Sequence, residues 1–351
     1  MMLALTTVPS VAGSARVEEV AEPPPADGAV LVKTLGLGIC GTDRDILAGE
    51  YGAPPPQQKR LVLGHESLGV VVEAPAGCGL EPGDLVVGIV RRPDPVPCIA
   101  CAAGEWDMCR NERYTERGIK ERHGFGAERF RIEPEFTIKL DPSLGRLGVL
   151  LEPASILAKA FDHTWRIGQR SKSWEPRTLL VTGAGPIGLL AALIGAQRHL
   201  EVHVLDHHAY DHKAKLVRRL GGTYYTGGVE VVDRVAPDIL MECTGAPALI
   251  GAILGRTAPA GIVCLVGVTS PGHELKLDIG RVNRTLVLDN DTVFGAVNAN
   301  RQHYETAAAA LEEADADWLT GLITRRVPLD RWAEAIAPQP GDIKTVIDFA
   351  A

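Results

Sequence analysis

Leu179-Leu180-Val181-Thr182-Gly183-Ala184-Gly185-Pro186-Ile187-Gly188 is the stretch on which the reading of this chain turns. An apolar strand runs into G-x-G-x-x-G, and an apolar helix follows. The glycine pattern is weak by itself and becomes specific between a strand and a helix. Gly183 permits a tight turn, Gly185 lets backbone approach a pyrophosphate, and Gly188 lets helix and strand pack closely. The helix start offers free N–H groups and a partial positive charge to the phosphates. Asp206 closes the next apolar run, Val202–Leu205, 18 residues after Gly188. A carboxylate there accepts hydrogen bonds from ribose hydroxyls. Pro186 and Ile187 inside the turn, and His207 beside Asp206, complete a dinucleotide-binding set.

The same stretch has to be weighed as a membrane span. Leu179 to Ala196 carries no charge over 18 residues, the minimum length for a crossing helix. Four glycines and Pro186 within it favour a strand, a turn and a helix instead. Asp206 also bears on the coenzyme. Like charge disfavours a 2′-phosphate beside it, so NAD is expected ahead of NADP. NADP stays open, because His207, His208, His212 and Lys213 could partly neutralise a phosphate.

Outward from the glycine turn, strands and helices alternate. Asp238–Met241 and Ile262–Val266 read as further strands, and Tyr210–Leu220 as a polar helix. Alternation of this kind implies a doubly wound parallel sheet with helices on both faces. Before residue 170 the chain changes character. Val30–Val32, Leu68–Val72 and Leu85–Val90 are short strand-like runs between proline- and glycine-rich turns, which suggests antiparallel β structure. After Asn298 a helix, Arg301–Ala314, precedes a strand-like end, Lys344–Phe349. The expected organisation is a catalytic domain from 1–170 and 299–351, with a dinucleotide-binding domain, 171–298, inserted between. The substrate site should lie near the carboxyl ends of the parallel strands.

Composition agrees. The 351 residues are 46% hydrophobic and 23% charged, as in an ordinary globular protein of two domains. The net charge of −8 and the lack of a basic run argue against nucleic acid as a partner. The amino terminus has no basic residue before its short apolar stretch and does not read as a signal peptide. Seven cysteines, an odd number in a long chain, read as reduced thiols in a cytoplasmic setting.

Cys40 ends a strand-like run, His65-Glu66 lies between two apolar runs, and Glu152 opens a helix. All are good zinc ligands, and a catalytic zinc needs three protein ligands and an open position. Singly, each has a plain structural explanation, and spacing alone does not join them. Cys98, Cys101 and Cys109 form a separate C-x2-C-x7-C cluster.

At this point the chain is recognisable. G-I-C-G-T-D at 38–43, G-H-E-S-L-G at 64–69, E-P-G-D at 81–84, L-E-P at 151–153 and G-A-G-P-I-G at 183–188 occur in family order. The chain resembles the zinc-dependent medium-chain dehydrogenases over nearly its whole length. It is most similar to the glucose 1-dehydrogenases of archaeal type, through V-R-R-P at 90–93, T-E-R-G-I at 115–119, H-G-F at 123–125 and F-G-A-V-N-A-N-R-Q-H-Y at 294–304. The resemblance implies a Rossmann domain joined to a GroES-like, mostly antiparallel β catalytic domain.

It also implies roles. Cys40 and His65 would bind the catalytic zinc, with Glu66 and Glu152 ligating directly or through water. Thr42 would sit near the reacting alcohol. Glu116 and Asn298 match positions that contact sugar hydroxyls or the nicotinamide end, and a carboxylate suits adjacent hydroxyls. Without the family, Glu116 reads equally as a solvated acid in the charged run 110–122. The family's structural-zinc lobe has four cysteines. Here Pro95 replaces the first, so Cys98, Cys101 and Cys109 either take Asp94 or Glu112 as a fourth ligand or form a lobe that has lost its metal. The implied activity is NAD(P)-dependent oxidation of an aldose such as D-glucose at C1 to the lactone. A polyol or another aldose is the near alternative. A metal-free quinone-type reductase or an inactive nucleotide-binding protein is the distant one. The family implies a homodimer or homotetramer.

Overall fold

A computed structural model describes residues 1–269 and 272–349, so the last two residues of the expected 299–351 segment lie outside the described residues. The chain divides into two compact units: Met1–Ser155 with the segment from Asn298 onward, and Ile156–Val297. The first boundary falls inside the helix Leu151–Gly168 and not at residue 170. Composition changes where that helix ends, whereas packing changes one turn after it begins.

The second unit is built on six parallel strands, in the spatial order Thr223–Thr226, Glu201–Asp206, Thr178–Thr182, Ile239–Glu242, Ile262–Leu265, Thr292–Gly295. Numbered along the chain this is 3-2-1-4-5-6, the doubly wound Rossmann order. Continuous apolar runs suit strands covered on both faces. Leu179, Leu180, Val181, Ile239, Leu240 and Met241 are all fully buried. The helix Pro186–Gln197 starts on Gly185 with proline at its first position, where the missing N–H costs nothing. It is apolar all round, and Gly188–Gly195 are all buried, so it is packed into the protein. Among the described residues no helix is long and apolar enough to cross a membrane.

The first unit carries a sheet in the order Thr137–Lys139, Leu85–Gly88, Glu66–Glu73, Val30–Ile39, Lys344–Asp348, Ile323–Pro328, with Arg129–Ile132 beside the start of Val30–Ile39. Pairings are antiparallel except that Ile323–Pro328 runs parallel to Lys344–Asp348. The connection between those two strands contains the helix Trp332–Ile336, which gives it the length a parallel return needs. The hairpin Met2–Thr7 with Arg16–Val20 and the three-stranded sheet Arg91–Arg92, Thr115–Arg117, Glu121–Arg122 complete the unit. Val30–Ile39 is the central strand, and it delivers Cys40 to its carboxyl end.

Candidate functional site

Cys40 has an extended backbone and caps the helix Gly41–Ala48, whose third residue is Asp43. Asp43 reaches back, and its Oδ2 accepts the Cys40 N–H at 2.9 Å. Its Oδ1 lies 3.4 Å from Nδ1 of His65, on the neighbouring strand start. His65 Nε2 is 3.1 Å from Cys40 Sγ. One ligand atom each from Cys40, His65 and Glu66 lies within 4.8 Å of the other two. His65 is 5% exposed and Glu66 2%. Burial works against charge on His65, but Cys40 and Asp43 hold its imidazole well above the ordinary range.

This donor set fits zinc: a cysteine sulfur, an imidazole and a carboxylate, with the far ring nitrogen of the histidine 3.4 Å from an aspartate oxygen. Glu66 has a second partner that the sequence reading missed. Lys344 Nζ donates to both its oxygens, at 2.7 and 2.6 Å, and to the Ile39 carbonyl at 3.1 Å. Glu152 is 8% exposed and stands outside the 4.8 Å group. Burial pushes its carboxyl up to about 7, with Glu66 adding to the effect and His65 and Lys344 opposing it. Thr42 is half-buried in the first turn of the helix that Cys40 caps.

Glu116 is not a solvated acid; it is 4% exposed. It sits opposite Arg91 in the small sheet. Its Oε1 accepts from Arg91 Nε and Nη2 at 3.1 and 3.0 Å and from Asn298 Nδ2 at 2.6 Å. The fold therefore joins two expected sugar contacts that lie far apart in sequence. Asn298 has a left-handed backbone, φ 62°, and its Oδ1 accepts the Ala299 N–H.

The sulfurs of Cys98, Cys101 and Cys109 also converge within 4.8 Å. The N–H groups of Arg110 and Cys101 point at Cys98 Sγ from 3.4 and 3.5 Å and pull that thiol down to about 6. Burial pushes Cys101 up to about 11. Neither expected fourth ligand joins them: among the described residues no carboxylate or imidazole shares the 4.8 Å group. Asp94 is committed to its own turn, accepting from Val96 N–H and Asn111 Nδ2, each at 2.8 Å.

In the second unit the glycine turn is tight and leaves open space at its helix start. Gly183 has φ 88°. A Cβ on Gly188 would stand 1.8 Å from the Gly183 carbonyl oxygen, whereas one on Gly185 would meet nothing within 4 Å. Free N–H groups at a helix start attract anions in general. Asp206 closes its strand with both oxygens engaged. Oδ1 accepts the His207 N–H at 2.8 Å; Oδ2 accepts from Lys213 Nζ at 3.3 Å and Tyr224 hydroxyl at 3.1 Å. The His207 ring lies 3.3 Å, nitrogen to nitrogen, from His208.

Sequence reasoning named Asp43 and Arg91 within motifs and Lys344 at the start of a strand-like run but assigned them no role, and it missed Tyr224. A lone lysine opening an apolar strand was the available signal for Lys344. Nothing local points to Tyr224, whose partner Asp206 is 18 residues away.

The glucose dehydrogenase C-terminus family profile matches residues 145–349, and that of the alcohol dehydrogenase GroES-like domain matches 26–142. The chain is 38% identical over 353 residues to glucose 1-dehydrogenase 1 of Caldivirga maquilingensis, covering 99% of both. It is 39% identical over 352 residues to the Thermoproteus tenax glucose 1-dehydrogenase, again covering 99% of both. Haloferax mediterranei glucose dehydrogenase, solved with NADP, Zn and gluconolactone, superimposes with TM-score 0.91 at 31% identity over 100% of both chains.

Proposed function

The chain belongs to the zinc-dependent medium-chain dehydrogenase/reductase family, in its glucose 1-dehydrogenase branch, and from that premise we propose that it oxidises an aldose such as D-glucose at C1 to the lactone, passing the hydride to NAD(P). The observation that carries this reading is the convergence of Cys40, His65 and Glu66 within 4.8 Å, in a chain similar over its full length to glucose 1-dehydrogenases.

Cys40 and His65 would hold the zinc, with Glu66 and Glu152 as the available carboxylates. Zinc, when bound, supplies a Lewis acid to the reacting oxygen. The protein's own groups do the rest. Asp43 faces the ring of His65. Lys344 holds both carboxylate oxygens of Glu66 in a buried seat. Glu152 is a buried carboxylate that feels the charges of His65, Glu66 and Lys344. Thr42 offers a hydroxyl beside Cys40, and Glu116 and Asn298 offer polar atoms to sugar hydroxyls. The Gly183–Gly188 turn receives the pyrophosphate and Asp206 the ribose.

The sequence expectation favoured NAD, yet the solved relative described above holds NADP. Lys213 neutralises much of the Asp206 charge, which weakens the repulsion of a 2′-phosphate. We therefore assign both coenzymes to this site. Cys98, Cys101 and Cys109 offer three sulfurs, one ligand short of the four a structural zinc takes. All seven thiols are free, which suits a reducing compartment such as the cytoplasm.

Cys40→Ser is the test, run with metal analysis and a panel of aldoses and polyols with both coenzymes. The expected result is loss of aldose oxidation and of one zinc per chain with nucleotide binding retained. Unchanged turnover in that variant would remove the metal centre from the reaction.

A further inference from the structure

We infer that Asp107, on the cysteine lobe, is a positioning residue that holds Asn298 in place from a distance. Where this concerns substrate, it rests on the function proposed above.

Asp107 lies in the short 3-10 turn Trp106–Met108, just before Cys109. It touches the turn 298–300 once, and Arg91 once. Its carboxylate Oδ1 accepts directly from Asn300 Nδ2 at 3.1 Å. Its backbone carbonyl accepts from Arg91 Nη1 at 3.2 Å. The other donors of Arg91 go to Glu116 Oε1, and that same oxygen accepts from Asn298 Nδ2. One residue of the lobe thus holds Asn300 by contact and Asn298 by relay.

Four members of the chain, Arg91, Asp107, Glu116 and Asn300, are 4–8% exposed. Hydrogen bonds in such low-dielectric surroundings are strengthened, and loss of one member leaves the others unsatisfied. Asn298 needs the support. A non-glycine residue in the left-handed region persists only where its surroundings over-determine it. The lobe has little regular structure of its own: a four-residue helix, Ile99–Ala102, the 3-10 turn, and exposed Ile99 and Met108. The state of the lobe is accordingly felt at Asn298, although no cysteine of the lobe belongs to the Cys40 centre.

The experiment pairs hydrogen exchange with steady-state kinetics on the full-length zinc-loaded protein. In Asp107→Ala, amides across 298–304 should exchange faster. The KM for the sugar should rise about tenfold, as expected for loss of a buried charge-assisted hydrogen bond. kcat and the coenzyme KM should stay within about twofold of the parent. Asp107→Asn, which keeps an acceptor oxygen, should restore most of the parental KM. Asn300→Ser retains the helix cap while removing the Nδ2 donor, and covers the case in which Asp107→Ala does not fold; it should reproduce the exchange and KM changes. Unchanged exchange across 298–304, or a fall in thermal stability with the sugar KM unmoved, would overturn the inference. If the parent oxidises no aldose or polyol, the proposed function fails, and the exchange measurement alone decides the role of Asp107.

Discussion

Lys344 Nζ stands 2.7 and 2.6 Å from the two carboxylate oxygens of Glu66, and their side chains are 1% and 2% exposed. Such a pair adds little compared with a well-packed apolar pair, but removing one partner strands the other charge in the interior. Glu66 is also confined by the backbone: a Cβ on Gly38 would stand 2.0 Å from its Oε2.

Lys344→Met should therefore destabilise the protein by about 3 kcal/mol or more in urea unfolding. The double variant Lys344→Met, Glu66→Gln should recover over half of that loss. A single variant as stable as the parent would show that the pair is dispensable.

At the glycine turn, Gly188→Ala puts a Cβ 1.8 Å from the Gly183 carbonyl, a clash with backbone that no side-chain rotation relieves. The expected cost is about 1–3 kcal/mol, with weakened binding of both coenzymes because the turn itself must shift. Fluorescence titration with NADH and NADPH checks this. Gly185→Ala adds a Cβ that meets no protein atom within 4 Å and should lose coenzyme binding while keeping its stability.

Coenzyme choice should respond to Lys213, whose Nζ lies 3.3 Å from Asp206 Oδ2. Lys213→Met leaves the carboxylate without its cation, so kcat/KM for NADP should fall relative to NAD by roughly fivefold, the size of a partly exposed ion pair. Asp206→Ala should shift the ratio the opposite way. Equal ratios in parent and variants would dissociate this pair from coenzyme selection.

A pH effect on stability is expected from His123. Its Nδ1 accepts the Val62 N–H at 3.1 Å, which places the ring proton on Nε2, where Gln58 Oε1 accepts it at 2.8 Å. Burial, with Arg117 adding to it, holds this imidazole below the ordinary range. The folded state thus favours the neutral ring. Its contribution is complete above the unfolded value of about 6.5 and is lost as pH falls through the lower folded value. Thermal denaturation of parent and His123→Gln between pH 7.5 and pH 5 (about these limits) should show a steeper decline in the parent. Parallel curves would contradict this account.

Much of the architecture was legible along the chain because it is written in local patterns. Leu179–Gly188 combines an apolar strand with glycines at fixed offsets, and Asp206 follows at the end of the next strand. Such signals survive without knowledge of the partner segments. The hairpin Met2–Thr7 with Arg16–Val20 and the edge strand Thr292–Gly295 went unread, since their strength comes from cross-strand pairing and not from composition. So did the parallel pairing of Ile323–Pro328 with Lys344–Asp348 in a domain expected to be mostly antiparallel.

Residue types capable of binding metal, phosphate and sugar, and the order in which they occur, are properties of the sequence alone. Which charges neutralise which was decided by folding. Glu66 finds Lys344, Glu116 finds Arg91 and Asn298, and Asp206 finds Lys213 and Tyr224. These partners are up to 278 positions apart. The physical reason is that a side chain's charge state and reach depend on burial and on what lies within a few ångströms, and only the packed chain sets either.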